Sequence, residues 1–162
     1  MKISPFEEKD WNAVWSLIEP VFRAGETYPY PRDISKDQTY QNWIIAPKAT
    51  YVCVDDDGQI LGTYYIKANQ PGQGSHICNC GYIVSEQARG RGVASTMCTH
   101  SQKEGKRLGF HAMQFNLVVA SNEGAYRLWT SLGFETMARL PDVFDHPTHG
   151  FVDAYVMYKK LT

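Results

Sequence analysis

Apolar residues near the start of the chain recur three or four positions apart, which is the spacing of one helix face. The residues of this stripe are Trp11, Val14, Trp15, Ile18, Val21 and Phe22. We predict an amphipathic helix with Asp10 as its N-cap and Gly25 as its stop, and a kink or an early end at Pro20. A short strand over Lys2 to Phe6 precedes this helix.

Beyond a second helix, predicted to begin after Ser35 and to end before Pro47, the apolar period changes to two, which is typical of strands. Thr50 to Val54 and Ile60 to Lys67 lie on either side of the acidic turn Asp55 to Gly58. An Asp-Gly turn between two such segments predicts a β-hairpin.

The rest of the chain alternates strands with helices. The predicted segments are a strand over Ile77 to Val84, a helix over Gly92 to Leu108, a strand over Ala112 to Val119, a helix over Asn122 to Leu132, and closing strands over Phe134 to Leu140 and Val152 to Lys160, with a loop over Pro141 to Pro147 between them. The order β-α-α-β-β-β-α-β-α-β-β predicts one α/β (α+β) domain over residues 1–162. Its mixed central sheet has about seven strands, flanked by about four helices.

Composition and charge narrow the class of protein. A chain of 162 residues is long enough for one domain with a sizeable core. The net charge of −1 does not favour a polyanion-binding surface, so we expect no nucleic-acid partner. No window approaches the roughly 18 consecutive apolar residues of a membrane span, and the N-terminus does not resemble a signal peptide. We therefore expect a cytoplasmic protein with no membrane partner.

The cysteines and histidines do not form a metal-binding pattern. Cys78 and Cys80 lie two apart on a predicted strand, so they share one face, which favours packing over ligation. Neither is accompanied by a second C-x-C or a nearby pair of histidines, and His146 and His149 lie in a loop-like context. We predict buried thiols and no metal.

The first segment that indicates chemistry is Val84 to Ala94, VSEQARGRGVA, which links a predicted strand to a helix. Gly90 and Gly92 carry no Cβ, so the backbone can approach a ligand closely. The helix that follows presents unpaired N–H groups and the positive end of its dipole, and Arg89 and Arg91 add positive charge. These features predict a phosphate or pyrophosphate site. On these residues alone, a tight corner with no ligand remains the alternative.

Two motifs resemble those of the GNAT superfamily of N-acetyltransferases. The first, Q-x-x-G-x-G over Gln87 to Gly92, resembles the family's acyl-CoA pyrophosphate loop. The second begins about thirty residues later, where NLVVASNEGAYRLWTSLGF resembles a strand followed by N-x-x-A-x-x-L-[Y]-x-x-x-G-F. Its matched positions are Asn122, Ala125, Leu128, Gly133 and Phe134. The predicted order of elements is also similar to that of the family.

The resemblance implies an acetyl-CoA-dependent N-acetyltransferase, with acetyl-CoA as cosubstrate and no metal. It implies that the strand before the Gly-rich loop splays away from the strand holding Asn116, and that the pantetheine arm lies in the resulting notch. The implied cofactor-binding positions are Val84, Gln87, Ala88, Arg89, Gly90, Arg91, Gly92, Val93, Ala94, Val118, Asn122 and Trp129. Acetyl passes directly to an amine in a ternary complex, so no cysteine is needed as a nucleophile.

One position departs from the family pattern. The tyrosine that protonates the leaving thiolate in the family corresponds to Trp129 here, and an indole cannot act as a general acid. Tyr126, one helical turn earlier, is an alternative donor to the same sulfur. No Glu or Asp lies on the strand before the Gly-rich loop, so we predict a water relay through Asn79, Tyr28 or Tyr82 in place of a carboxylate base.

Three shorter segments resemble a group within the superfamily that acetylates small amino acids and proline analogues such as azetidine-2-carboxylate. They are Glu26 to Pro29, Asn79 to Val84 and Phe115 to Val118. The implied catalytic positions are Asn79, Asn116 and Asn122, and the implied substrate-binding positions are Glu26, Tyr28, Asn79, Asn116 and Leu117. Structural alternatives stay open for the three asparagines, which can instead satisfy a β-bulge, a strand end and a helix N-terminus, respectively.

Other functions remain open from the sequence. A non-catalytic acyl-CoA sensor is the alternative outside enzymes, because Trp129 replaces the family's tyrosine. Acetylation of protein N-termini, polyamines or antibiotics is the alternative to a small-molecule amine substrate. We expect loops such as Gly25 to Asp33 and Pro141 to Gly150 to build the acceptor pocket. Family members often dimerise, so the resemblance leaves a homodimer open.

Overall fold

The computed structural model describes residues 1–162 and contains four α-helices and seven strands in the predicted order. The helices are α1 (Trp11–Ala24), α2 (Lys36–Tyr40), α3 (Val93–Arg107) and α4 (Glu123–Ser131). The strands are β1 (Lys2–Pro5), β2 (Ala49–Val54), β3 (Ile60–Ala68), β4 (Ile77–Val84), β5 (Ala112–Val119), β6 (Glu135–His146) and β7 (Gly150–Lys160). The predicted bounds of β4 and β5 are confirmed.

All seven strands belong to one mixed sheet with the order β1-β2-β3-β4-β5-β7-β6. Neighbouring strands are antiparallel except β4 and β5, which are parallel. These two strands pair at only two positions, Ile77 with Ala112 and Cys78 with Met113, although each is eight residues long. The predicted splay between them is therefore confirmed, and it divides the sheet.

Two hydrophobic cores cover the two faces of the sheet. The larger has 18 buried residues and lies under α3 and α4, where Met97, Met113 and Met157 are fully buried. The smaller has 8 buried residues under α1 and α2, around Trp43 and Phe22. Because side chains alternate along a strand, successive residues of β4 contribute to opposite cores.

Helix α1 continues through Pro20 to Ala24, so the predicted early end is wrong. Pro20 and Ser16 both lie on the exposed side, where water can bind the Ser16 carbonyl that loses its N–H partner. Gly25 ends the helix with a φ of 67°, as predicted. Asp10 precedes the helix but does not cap it, because its carboxylate accepts the N–H of Glu7 at 2.8 Å.

The predicted loop over Pro141 to Pro147 is wrong, because β6 extends to His146 and forms a long hairpin with β7. Strand β6 lies at the edge of the sheet, where a proline without an N–H is tolerated. A register shift between Leu140 and Phe144 absorbs the extra residues, and Asp142 takes a φ of 53° there. Residues with the composition of a turn therefore lie inside a bulged strand.

Candidate active site

A cavity of about 900 Å³ opens where β4 and β5 diverge. This volume is within the range of small-molecule and cofactor sites. The walls come from the first turn of α3, the facing edges of the two strands, α4 and the segment after α1. The splay exposes backbone groups that a continuous ladder would have paired, so an extended ligand can bind between the strands.

The Gly-rich loop forms one end of the cavity with an open backbone surface. Gly90 and Gly92 have φ values of 74° and 78°, and a Cβ on either would meet no protein atom within 4 Å. The N–H groups of Val93, Ala94 and Ser95 have no acceptor within the protein, because they belong to the first turn of α3. Unpaired amides, open space and the helix dipole together suit an anion.

Ten of the twelve predicted cofactor-binding positions line this cavity, namely Val84, Ala88, Arg89, Gly90, Gly92, Val93, Ala94, Val118, Asn122 and Trp129. Gln87 instead lines an adjoining smaller cavity, and its side-chain oxygen accepts the hydroxyl of Ser85 at 2.7 Å. Arg91 is exposed and lines neither cavity. All five predicted substrate-binding positions line the large cavity.

Asn79 lies where the β4–β5 ladder ends. Its Nδ2 donates to the carbonyl of Gln114 on β5 at 2.9 Å, and its Oδ1 accepts the hydroxyl of Tyr65 at 3.3 Å. The side chain thus replaces the next backbone hydrogen bond and holds the two strands at the start of the splay. The β-bulge considered as the structural alternative is absent at Asn79, whose side chain instead bridges the end of the β4–β5 ladder and lines the cavity.

Asn116 and Leu117 lie in a bulge of β5 at the cavity wall. The pairing of β5 with β7 is interrupted between Phe115 and Val118, which releases the two residues from the ladder. The Nδ2 of Asn116 donates to Asn69 at 2.6 Å, and its Oδ1 accepts the side-chain amide of Gln114 at 3.0 Å. Both ends of this amide are therefore engaged within the protein.

Asn122 is the N-cap of α4 and also lines the cavity. Its Oδ1 accepts the N–H of Ala125 at 3.4 Å, which is the geometry of a capping residue. The cap leaves the Asn122 side-chain amide nitrogen without a partner in the protein.

Trp129 closes the cavity on the α4 side, and its side chain is 9% exposed. Its ring packs against Tyr82 and Phe115, with centroid distances of 5.0 and 5.3 Å. Tyr126 does not line the cavity, because its ring packs at an angle of 31° against Tyr155 and its hydroxyl bonds Thr136 at 2.9 Å. These contacts argue against Tyr126 as a donor to the thiolate sulfur.

The two tyrosines of the predicted water relay are bound to protein groups. Tyr28 donates its hydroxyl to the backbone carbonyl of Tyr82 at 2.9 Å, and burial raises the pKa of Tyr28 well above 10. The Tyr82 hydroxyl lies in the core under α3, where it bonds Ser101 at 2.7 Å, and burial raises its pKa too. Neither phenol is a base near neutral pH, so these contacts argue against their part in the relay.

Cys80 is the cysteine that lines the cavity, and it is buried. Burial, and then the neighbouring Cys78, raise the pKa of the Cys80 thiol well above its usual value. Burial also raises the pKa of Cys53 and Cys98. Since the thiolate is the reactive form, these three protonated thiols lack the environment of a nucleophile.

The segment after α1 forms a wall of the cavity with five consecutive residues, Glu26, Thr27, Tyr28, Pro29 and Tyr30. Glu26 is exposed and forms no ion pair. No residue of Pro141 to Gly150 lines the cavity, so the expected contribution of that segment is wrong. Its residues pair along the edge of the sheet instead.

Two residues of β3, Tyr65 and Lys67, line the cavity and have no counterpart among the predicted positions. In the sequence, only their positions two apart on a mostly buried strand indicated that they share one face of the sheet. Their proximity to Asn79 follows from the pairing register, in which Lys67 lies opposite Asn79. That register joins residues from two separate segments and has no local signature.

No group of three or more His, Cys, Asp or Glu side chains is arranged to hold a metal ion. None of the helices combines the length and apolar character needed to cross a bilayer.

Comparison with known proteins identifies similar sequences and folds. The sequence profile of the acetyltransferase (GNAT) family matches residues 11–134. N-acetyltransferase aca1 of Schizosaccharomyces pombe is 38% identical over 112 residues, which are 68% of this chain and 54% of that protein. The chain thus spans about half the length of this relative.

Solved structures also match over nearly the whole chain. A GCN5-related N-acetyltransferase from Kribbella flavida superposes with a TM-score of 0.93 and 37% identity, over 98% of this chain and 96% of that one. A phosphinothricin acetyltransferase from Sinorhizobium meliloti, solved in complex with acetyl-CoA, has a TM-score of 0.86 at 16% identity, over 98% of this chain and 87% of that one. At that identity the second match concerns the fold alone.

Proposed function

The chain belongs to the acetyltransferase (GNAT) family, and we propose that it transfers the acetyl group of acetyl-CoA to the amine of a small molecule, an amino acid or proline analogue. The observation that carries this proposal is the cavity between β4 and β5, which begins at a loop of unpaired amides. An anion site and an adjoining notch with free backbone edges suit a long ligand that is anionic at one end.

The residues present fit acetyl-CoA at two places. The amides of the first turn of α3 are free, and the open space at Gly90 and Gly92 admits a pyrophosphate that a Cβ would obstruct. Arg89 adds positive charge to the same end of the cavity. The unpaired edge of β5 at Val118 offers backbone groups to the amides of a pantetheine arm.

Acetyl-CoA, when bound, supplies a thioester carbonyl that an amine can attack. In the proposed mechanism the protein holds the two reactants side by side, which removes the entropic cost of their encounter. No side chain forms a covalent intermediate, which agrees with the buried thiol of Cys80 and its raised pKa. Trp129 provides an apolar wall and no general acid, so the thiolate must leave without proton transfer from this position.

The acceptor is proposed to bind at the far end of the cavity from the Gly-rich loop. Its candidate contacts there are Tyr28, Asn79, Asn116 and Leu117. Glu26, the fifth predicted position, also lines the smaller cavity beside Gln87 and Arg89, so it lies toward the Gly-rich loop. Asn79 also joins β4 to β5 at the start of the splay, and Asn116 bonds Asn69 in the segment after β3. We propose that Asn79 and Asn116 position the acceptor. Their side-chain amides already bond protein groups, so they have few hydrogen-bonding positions left for a ligand. Asn122 is proposed to contact acetyl-CoA through its free amide nitrogen while it caps α4.

Release of free thiol from acetyl-CoA tests the proposal directly. The acceptors are azetidine-2-carboxylate, proline, alanine, spermidine and a peptide with a free N-terminus, with mass spectrometry of the product. We expect release with the amino acids and none in a Gly90→Glu variant. Release only with spermidine or the peptide would contradict the small amino-acid acceptor. Tight binding of acetyl-CoA with no release on any acceptor would instead support a sensor.

A homodimer remains a prediction that follows from the family resemblance. Light scattering coupled to gel filtration measures the mass in solution.

A further inference from the structure

Lys67 places a charged group in the cavity wall with no hydrogen-bond or ion-pair partner in the protein. It lies near the end of β3, is partly buried and lines the cavity wall. Its Nζ forms no ion pair with any carboxylate of the chain. Its Nζ lies over the face of the Tyr65 ring, 5.1 Å from the ring centroid. An ammonium group held against an aromatic face keeps its donors free for a ligand.

The pairing of β3 with β4 determines where this charge lies. Lys67 is directly opposite Asn79, so the two side chains share one face of the sheet at the start of the splay. Tyr65, two residues earlier on that face, bonds Asn79 and covers Gly81, where a Cβ would lie 2.6 Å from the ring. Lys67 therefore lies beside the polar cluster at the acceptor end of the cavity.

The charges in the cavity favour an anionic group at this end. Its charged lining residues are Glu26, Lys67 and Arg89. Arg89 belongs to the Gly-rich loop, and Glu26 also lines the smaller cavity beside Gln87 and Arg89, so both lie toward the end proposed for the pyrophosphate. The neighbouring amides of Asn79 and Asn116 are engaged with protein groups. Lys67 is consequently the one cation at the acceptor end, and it is free to pair.

We propose that Lys67 binds the carboxylate of the acceptor and thereby selects amino acids over simple amines. This inference rests on the proposed function and names a residue for its specificity. A carboxylate paired with an ammonium group forms a charge-assisted hydrogen bond, which is stronger than a neutral one. The same positive charge repels a polyamine, whose several ammonium groups would have to enter beside it. It also favours the neutral form of a nearby amine, which is the form that attacks.

Matched acceptors with and without a carboxylate test the role of Lys67. The pairs are azetidine-2-carboxylate with azetidine, proline with pyrrolidine, and alanine with ethylamine. In Lys67→Met we expect kcat/KM for the amino acid to fall by about 10- to 100-fold, with little change for its partner amine. Lys67→Arg retains the charge and should recover part of the loss. The affinity for acetyl-CoA should stay unchanged, because Lys67 lies at the other end of the cavity.

A second lysine provides the control for folding. Lys48 also places its Nζ over an aromatic ring, that of Phe110 at 5.3 Å, but lies outside the cavity. Lys48→Met loses the same kind of contact and should leave the ratio of the two kcat/KM values at the wild-type value.

An equal loss for both members of a pair, or no loss for either, would overturn the role of Lys67 while the acetyltransferase activity stands. Preferred turnover of the amine without a carboxylate by the wild-type protein would also overturn it. Absence of thiol release with every amine is a different outcome, since it removes the proposed function and this inference together.

Discussion

Alanine in the Gly-rich loop should impair acetyl-CoA binding far more than it impairs folding. Gly90 and Gly92 have φ values of 74° and 78° and open space around their Cα atoms. A Cβ there clashes with no protein atom, so the only folding cost is the left-handed backbone, about 1–2 kcal/mol. The smaller entropy of the unfolded alanine chain offsets about 0.4–1 kcal/mol of this. A net loss of about 1 kcal/mol lowers Tm by roughly 2–4 °C in a chain of this size.

The effect on the ligand should be larger, because a methyl group would fill the space in which the pyrophosphate approaches the amides. Losing one hydrogen bond to a charged group raises the Kd for acetyl-CoA by about 10- to 100-fold. Isothermal titration calorimetry at 25 °C measures this Kd, and thermal unfolding without ligand measures the change in Tm.

Gly58 offers a matched control for this experiment. It has a φ of 82°, no protein atom within 4 Å of a Cβ, and a place in the β2–β3 turn outside the cavity. Gly58→Ala should show the same fall in Tm and no change in Kd. Wild-type affinity for acetyl-CoA in both Gly90→Ala and Gly92→Ala would refute the role of the Gly-rich loop, and so would a Gly58→Ala variant that weakens binding as much as they do.

Three further predictions concern single side chains. Asn79→Ala should lower the free energy of unfolding in urea by about 1–3 kcal/mol, because it leaves the Gln114 carbonyl unpaired. The same variant should lower kcat/KM. An unchanged free energy of unfolding and an unchanged kcat/KM would contradict the positioning role of Asn79. Tyr126→Phe should leave kcat unchanged, since the hydroxyl bonds Thr136 outside the cavity; a large fall in kcat would return Tyr126 to the mechanism. Burial lowers the pKa of His100, so the unfolded chain binds more protons and the free energy of unfolding should fall as pH drops below about 6.5. Urea unfolding between pH 5 and 7 should show a smaller pH slope for His100→Gln, and an unchanged slope would contradict this assignment.

Sequence patterns predicted the elements that depend on neighbours along the chain. The bounds of β4 and β5 follow from local alternation and flanking turn residues, and Gly25 ends α1 because a left-handed C-terminal residue favours glycine. The Gly-rich loop was also predictable, since a glycine pair between a strand and a helix is itself the structural requirement for close approach.

Predictions from local sequence patterns were less successful where the surroundings of a residue depend on its position in the sheet. Pro141 has the composition of a loop, but at the edge of the sheet its missing N–H costs no ladder bond, so the strand continues through a bulge. Tyr126 is one helical turn from Trp129 in the sequence, yet the packing of α4 against β7 directs its ring to Tyr155.

By itself the sequence determined the order of elements, the splayed pair of strands implied by the family resemblance, and the Gly-rich turn before α3, because each of these depends on residues close together in the chain or on a short motif. Only the tertiary structure decided that Lys67 lies opposite Asn79 and that Asn79 bonds the carbonyl of Gln114, 35 residues away. Strand register is chosen by the packing of both faces of the sheet at once, and a shift of one residue would turn Lys67 away from the cavity.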